Sequence, residues 1–109
     1  MRHNLHRPRI QVAPRDERTV DGITFDSKAE AKRYRDLKIL QAGGHVEMFL
    51  RQTIFHLPGN TKYTCDFFVF WANGKVTIED VKGMRTAAYI RAKKQVEAAY
   101  PIKITEIAA

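Results

Sequence analysis

The sequence has little of what secreted and membrane proteins carry. Cys65 is the only cysteine among 109 residues, which excludes an intramolecular disulfide and indicates a reducing compartment. No apolar run approaches the roughly 18 residues that a membrane span requires. The start of the chain is basic and is interrupted by Pro8 and Pro14, whereas a secretory signal is apolar there. We therefore expect a cytoplasmic protein without a membrane partner.

Acidic residues are few relative to basic ones. Twelve Asp and Glu stand against nineteen Lys and Arg, which gives a net charge of +7. Such a field on a small domain makes polyanions, nucleic acid above all, its natural partners; the competing interpretation is a charge that only keeps the protein soluble. The length allows one core. We expect a single domain over 16–109, after a flexible basic arm at 1–15 that either lies along phosphates or has no task.

Periodicity and turn residues predict an α/β chain. Asp21-Gly22 marks the two-residue turn of a small hairpin. Asp26 and Ser27 are both candidate N-caps for a helix that runs to about Ala42, where Gly43-Gly44 ends it. The patterning that follows predicts three strands, a second helix and a last strand, at 46–57, 63–71, 75–81, 86–99 and 102–107. The face of the second helix is expected to carry Tyr89, Ala92, Val96 and Ala99. The order is a small hairpin followed by α-β-β-β-α-β, typical of an α/β sandwich with a mixed sheet.

Two acids and a lysine can meet on one sheet face if the hairpin at 72–74 has the right length. Asp80 and Lys82 share a face because alternate strand residues point the same way. A two-residue loop would turn Asp66 to the other face, whereas a three-residue loop places it opposite Asp80. Gly74 suits a type I turn followed by a left-handed residue, so we predict the three-residue loop.

Asp66 and the run Glu79-Asp80-Val81-Lys82 resemble the signature of the PD-(D/E)XK nuclease superfamily. The resemblance extends over about 18–107 to a family of small phage proteins, similar in layout to phage junction-resolving endonucleases. The segments that carry it are 20–31, Arg51-Gln52, Asp66-Phe67, 79–83 and 86–89. One departure is Cys65, which stands where the signature has a proline. The resemblance implies a restriction-endonuclease-like core, α-β-β-β-α-β, with a mixed central sheet flanked by helices.

The resemblance also implies a metal site and a catalytic set. Asp66 and Asp80 would bind Mg²⁺, or Mn²⁺ in its place, together with the carbonyl of Val81. The metal would lower the pKa of a bound water, and Lys82 would orient or help deprotonate that water and stabilise the transition state. Without metal, repulsion between the two close carboxylates should raise one pKa.

Glu30 has two interpretations. Ser27 and Glu30 match a capping box, which accounts for a glutamate there unaided. Yet its spacing to Tyr34, Leu37 and Gln41 turns it towards the sheet, and related nucleases use a first-helix glutamate as a further metal ligand. The two roles are compatible, and we include Glu30 among the catalytic and metal-binding residues.

Candidate DNA contacts lie on both helices, immediately before the second helix and on one strand. They are Arg85, Arg91, Lys93, Lys94, Lys28, Lys32, Arg33 and Gln52. For the basic residues the alternative is a solvated helix face, and for Gln52 it is a hydrogen-bonded strand glutamine. The four histidines show no paired metal spacing and are expected at the surface or in loops; they are His3, His6, His45 and His56. Cys65 alternates onto the face opposite Asp66 and is expected to be a core thiol.

These observations together favour a Mg²⁺-dependent DNA endonuclease. By family analogy, the substrate is branched DNA such as a Holliday junction, in phage recombination or DNA processing and hence in the host cytoplasm. Because resolving a junction requires two coordinated cuts, a symmetric homodimer is expected. The alternatives are a nucleic-acid-binding module that is catalytically inactive, and a nuclease subunit that needs a partner.

Overall fold

The computed structural model describes residues 12–109, with the elements in the predicted order. A 3-10 turn at Arg15–Arg18 precedes β1 (Thr19–Val20), β2 (Ile23–Thr24), α1 (Lys28–Ala42), β3 (Val46–Leu57), β4 (Thr61–Trp71), β5 (Val76–Lys82), α2 (Ala87–Ala99) and β6 (Ile104–Ala108). Most of the predicted basic arm, with His3 and His6, lies outside the described residues. The other two histidines, His45 and His56, are exposed as expected.

The main sheet has four strands in the order β3-β4-β5-β6. Neighbours β3 and β4 are antiparallel, as are β4 and β5, whereas β5 and β6 are parallel. Parallel neighbours need a crossover connection, which α2 provides. The fold is therefore α/β, with a mixed four-stranded sheet and two helices, as predicted at that level.

Both tight turns have the geometry that their glycines indicated. Asp21 and Gly22 have positive φ angles of 54° and 76°, the pattern of a two-residue hairpin turn. In the β4–β5 hairpin, the Trp71 amide donates to the Lys75 carbonyl at 2.9 Å, which leaves 72–74 as the loop. Gly74 lies in the left-handed region at φ 90°. The three-residue loop is thus confirmed.

Each helix covers its own part of the core. Tyr34 and Leu37 of α1 are buried in a cluster with Phe25, Phe67 and Val69. The second cluster gathers around Val96 of α2, and its buried members include Phe55, Cys65, Ile78 and Ile104. The core position predicted for Cys65 is confirmed.

The apolar face predicted for α2 is too long by one residue. Val96 is buried, and Tyr89 and Ala92 pack against its cluster, but Ala99 is exposed. The helix ends at Ala99, and Tyr100 takes the expected place against the core, with its ring 5.4 Å from that of Phe55. Within 12–109, neither helix combines the length and the apolar character needed to cross a membrane.

Candidate active site

The two predicted acids lie where β4 and β5 separate. The β4–β5 ladder runs only from Phe67↔Glu79 to Phe70↔Val76. Continued by one residue, this register sets Asp66 opposite Asp80, as predicted. Beyond that point the first half of β4 follows β3, while β5 continues beside β6. We call the place where Asp66 and Asp80 face each other the strand fork.

At the strand fork, side chains take the place of the backbone ladder. The Asp66 amide donates to Oδ1 of Asp80 at 3.2 Å, and the Val81 amide donates to Oδ2 of Asp66 at 2.8 Å. This exchange joins the two acids to each other's strands. It fixes the orientation of both carboxylates.

Asp80 is the more deeply buried of the two acids, at 2% exposure. Its Oδ2 atom is buried and has no hydrogen-bond partner within the described part of the chain. Burial raises the pKa of Asp80 to about 6, although the charge of Lys82 lowers it. Burial also raises the pKa of Asp66, against the hydrogen bond from Val81. Both pKa values therefore rise, where a rise in one was expected from repulsion between the two carboxylates, and burial is the largest cause in each case.

Glu30 is buried near this pair, at 5% exposure. Burial is the largest cause that raises the pKa of Glu30 to about 7, followed by the charge of Asp66. Its amide donates to Oγ of Ser27 at 3.1 Å, so Ser27 rather than Asp26 is the N-cap of α1. Its Oε2 accepts a long hydrogen bond of 3.4 Å from Gln52. Glu30 nevertheless does not join a compact cluster: within 12–109, no three side chains of His, Cys, Asp or Glu are grouped so as to hold a metal ion.

Gln52 has a conformation that the sequence did not indicate. Its φ is 52°, although the residues on either side pair regularly as Arg51↔Phe67 and Thr53↔Cys65. This register sets Gln52 opposite Asp66. A left-handed residue other than glycine inside a strand is strained, and such strain concentrates at functional sites. Gln52 thus lies beside the strand fork with its side chain directed to Glu30.

Sequence reasoning missed Arg51. Its guanidinium lies over the ring of Phe25, 4.7 Å from the centroid, and its charge lowers the pKa of Glu30 against the stronger effect of burial. It also has a buried Nε without a partner in the described residues. The pairing of Arg51-Gln52 next to Asp66 could have been inferred from the length of the β3–β4 loop.

The predicted basic contacts differ in exposure. Arg33 departs most from expectation, because its guanidinium forms two hydrogen bonds, of 2.8 and 2.7 Å, with the buried carboxylate of Glu79. Lys93 is half-buried, 3.9 Å from Glu97. The remaining basic candidates are exposed at the surface, namely Arg85, Arg91, Lys94, Lys28 and Lys32. Arg33 is therefore engaged in the fold, whereas these others can reach a ligand.

The raised pKa of Glu30 makes the stability of the metal-free protein depend on pH. The folded state binds this proton more tightly than the unfolded state, with a pKa of about 7 against 4.5. Its contribution to stability is therefore complete below about pH 4.5 and is lost as pH rises through 7. As pH rises from 5 to 8 in EDTA, we expect the parent to lose about 1 to 2 kcal/mol of unfolding free energy that Glu30→Gln retains. Urea titrations measure this difference. The control is Glu47→Gln at an exposed position, and equal pH profiles for the parent and Glu30→Gln would contradict the prediction.

The sequence matches a family model over nearly all of the described residues. The model is that of "Protein of unknown function (DUF1064)", and it matches residues 15–108. A search of curated proteins found no match to the chain. The matched region contains both helices and every strand, including the strand fork. The chain therefore belongs to the DUF1064 family.

Proposed function

We propose that the protein is a metal-dependent nuclease of the PD-(D/E)XK type that hydrolyses phosphodiester bonds in DNA. The observation that carries the proposal is the strand fork, where Asp66 and Asp80 are locked face to face by hydrogen bonds to each other's strands. Lys82 is two residues further along the same strand and hence on the same face. The arrangement follows the acid, acid and lysine order of that superfamily. Its restriction-endonuclease-like core is likewise part of the proposal.

The side chains at the strand fork fit a divalent cation. Mg²⁺ is held in proteins by one or two carboxylates and completes its shell with water. Asp66 and Asp80 supply two such groups, and the buried Oδ2 of Asp80 has no protein partner in 12–109. The carbonyl of Val81 is a further ligand that we propose, and Glu30, which stands outside a compact cluster within the described residues, would have to move towards the two aspartates to become another. Bound there, Mg²⁺ or Mn²⁺ would lower the pKa of a coordinated water and neutralise charge on the phosphate.

The residues around the pair contribute positioning and charge. The Val81 amide holds Oδ2 of Asp66, so this carboxylate keeps one orientation. The ammonium of Lys82, close enough to lower the pKa of both aspartates, supplies positive charge where negative charge grows on the phosphate. Lys82 is therefore the catalytic residue that acts on the water and on the transition state.

The proposed substrate is branched DNA, for which the net charge of +7 provides affinity. Exposed basic residues on α1 and near α2 would bind phosphates, and these contacts fix position rather than read sequence. Cutting a junction on two strands requires two sites, so we propose a symmetric homodimer. The preference for junctions, the homodimer and a role in phage DNA recombination or processing all come from the resemblance.

One observation favours a second candidate, a nucleic-acid-binding module without catalysis. Asp66 and Asp80 each already accept a hydrogen bond from a backbone amide, and this gives both a structural role. Two observations favour the nuclease instead: the Oδ2 of Asp80 has no hydrogen-bond partner among residues 12–109, and the charge of Lys82 is nearby. A purely structural carboxylate gains nothing from a buried oxygen without a partner.

Cleavage of labelled DNA tests the proposal. We expect the purified protein to cut a four-way junction faster than a matched linear duplex, in Mg²⁺ and not in EDTA. Lys82→Ala should abolish cutting and leave DNA affinity almost unchanged, because the lysine acts in the transition state. The exposed Lys38→Ala is the matched control, with normal cutting expected. Binding without cutting under every metal tried would favour the binding module or the subunit that needs a partner.

A further inference from the structure

The ammonium of Lys82 packs against an aromatic ring. Its Nζ lies 4.2 Å from the centroid of the Tyr89 ring. A cation over the face of an aromatic ring is attracted by the ring quadrupole. Lys82 follows Asp80 by two residues on β5, so both side chains leave the sheet on the same face, and the Tyr89 ring lies on the face that carries the carboxylate of Asp80.

Tyr89 is itself fixed at both ends. Its amide donates to Oγ1 of Thr86, the N-cap of α2, at 3.1 Å. Its hydroxyl donates to Oε2 of Glu106 at 2.9 Å, and the same oxygen lies 3.3 Å from Nε of Arg85. These contacts tie Tyr89 to β6 and to the N-terminus of α2 through residues other than Lys82.

Glu106 is an acid that would compete for Lys82 if it were free. It is the partner of Asp80 in the parallel register of β5 and β6, and its charge raises the pKa of Asp80. Alternation puts it on the same sheet face as Asp80 and Lys82. The Tyr89 hydroxyl and the Arg85 guanidinium both engage its carboxylate, so the lysine is left to the strand fork.

We propose that Tyr89 is a positioning residue for Lys82. The ring of Tyr89 holds the Lys82 ammonium towards Asp66 and Asp80, and Glu106, together with Arg85, holds the ring. The significance for catalysis rests on the function proposed above. Tyr89 contacts Lys82 and no reacting atom. The hydroxyl and the ring have separable tasks: the ring contacts the ammonium, and the hydroxyl occupies Glu106.

Kinetics with ring-keeping and ring-losing variants test the proposal. Tyr89→Leu should lower kcat about tenfold, with KM and DNA affinity unchanged, because only the lysine is released. Tyr89→Phe keeps the ring, and Arg85 still pairs with Glu106 at 3.3 Å, so kcat should stay within about threefold of the parent. Tyr100 supplies the matched control at the other end of α2, because it is also half-buried and donates its hydroxyl to the His56 carbonyl at 2.7 Å. Tyr100→Leu should leave kcat unchanged, and an equal fall in both leucine variants would overturn the proposal.

A spectroscopic measurement separates this inference from the proposed nuclease activity. The methylene protons next to Nζ of Lys82, assigned by their loss in Lys82→Met, should be shifted upfield by the ring current of Tyr89. The shift should remain in Tyr89→Phe and vanish in Tyr89→Leu. Unshifted protons in the parent, or a shift that survives Tyr89→Leu, would overturn the positioning role. If the protein cuts no DNA with any metal, the nuclease proposal fails while this shift still decides where Lys82 is held.

Discussion

Asp80→Asn is expected to have opposite effects on activity and on stability. Cleavage in Mg²⁺ should fall by about 10³-fold, because the variant loses a charged ligand at the proposed metal site. In EDTA at pH 8, the free energy of unfolding should rise by about 1 to 2 kcal/mol, because burial raises the pKa of Asp80 to about 6 and the folded state then carries a desolvated charge. Asparagine retains an oxygen that can accept the Asp66 amide. Single-turnover cleavage and urea titrations measure the two effects.

The opposite signs distinguish a functional acid from a structural one. A carboxylate kept for its hydrogen bond alone would lose stability, or change little, on neutralisation. The stability gain of Asp80→Asn should be absent below about pH 4, where the aspartate is protonated in both the folded and the unfolded state, and should be complete above the folded-state pKa of about 6. Asp16→Asn, at an exposed position, is the control for removing one negative charge. A variant that cuts normally in Mg²⁺ would contradict the assignment of Asp80.

The order of the elements along the chain and the register of β4 with β5 were predictable because local signals determine them. Asp21-Gly22 and Gly74 require positive φ, which glycine accommodates and which an aspartate beside it tolerates. Once 72–74 is the loop, the pairing of β4 with β5 follows by counting, and with it the meeting of Asp66 and Asp80. The bounds of β3 were also predicted, since β-branched and aromatic residues continue to Pro58.

The remaining features depend on contacts that local patterns do not encode. The left-handed Gln52 lies in an otherwise regular strand, and no glycine or turn residue marks it. The contact between Lys82 and Tyr89 requires the crossover helix to return over β5. The burial of Glu30 and Asp80, which dominates their pKa, follows from three-dimensional packing rather than from their neighbours in sequence. The resemblance was enough to identify these acids as candidates, but their raised pKa values could be found only from the folded structure.

Arg33 illustrates the same limit. From the sequence, Arg33 is one of several basic residues of α1 that either contact DNA or form a solvated helix face. In the fold it forms a buried ion pair with Glu79, 46 positions further along the chain. The carboxylate also accepts from Oγ1 of Thr77, which in turn accepts from the Trp71 indole at 2.8 Å. This network joins α1 to β5 next to Asp80, so its integrity bears on the strand fork.

Breaking this pair from one side should therefore be severe. With Glu79 only 1% exposed, Arg33→Met leaves a buried charge without its counterion and should cost about 3 to 5 kcal/mol of unfolding free energy. Adding Glu79→Gln removes that charge, keeps an acceptor for Thr77 and should recover more than half of the loss. Lys32→Met is the control, because its pair with Asp36 is largely exposed and should be worth less than about 1 kcal/mol. Urea titration of the single and double variants measures the coupling.

The rescued double variant also decides what Arg33 does for DNA. If Arg33 serves only the fold, the Arg33→Met/Glu79→Gln variant should bind DNA with the parent's affinity and the parent's dependence on salt. If Arg33 contacts a phosphate, affinity falls for every sequence and the salt slope drops by about one. The buried bidentate geometry favours the first outcome. A stability loss in Arg33→Met no larger than that in Lys32→Met would contradict the buried ion pair itself, because removing a counterion from a desolvated carboxylate must cost more than removing one that water can replace.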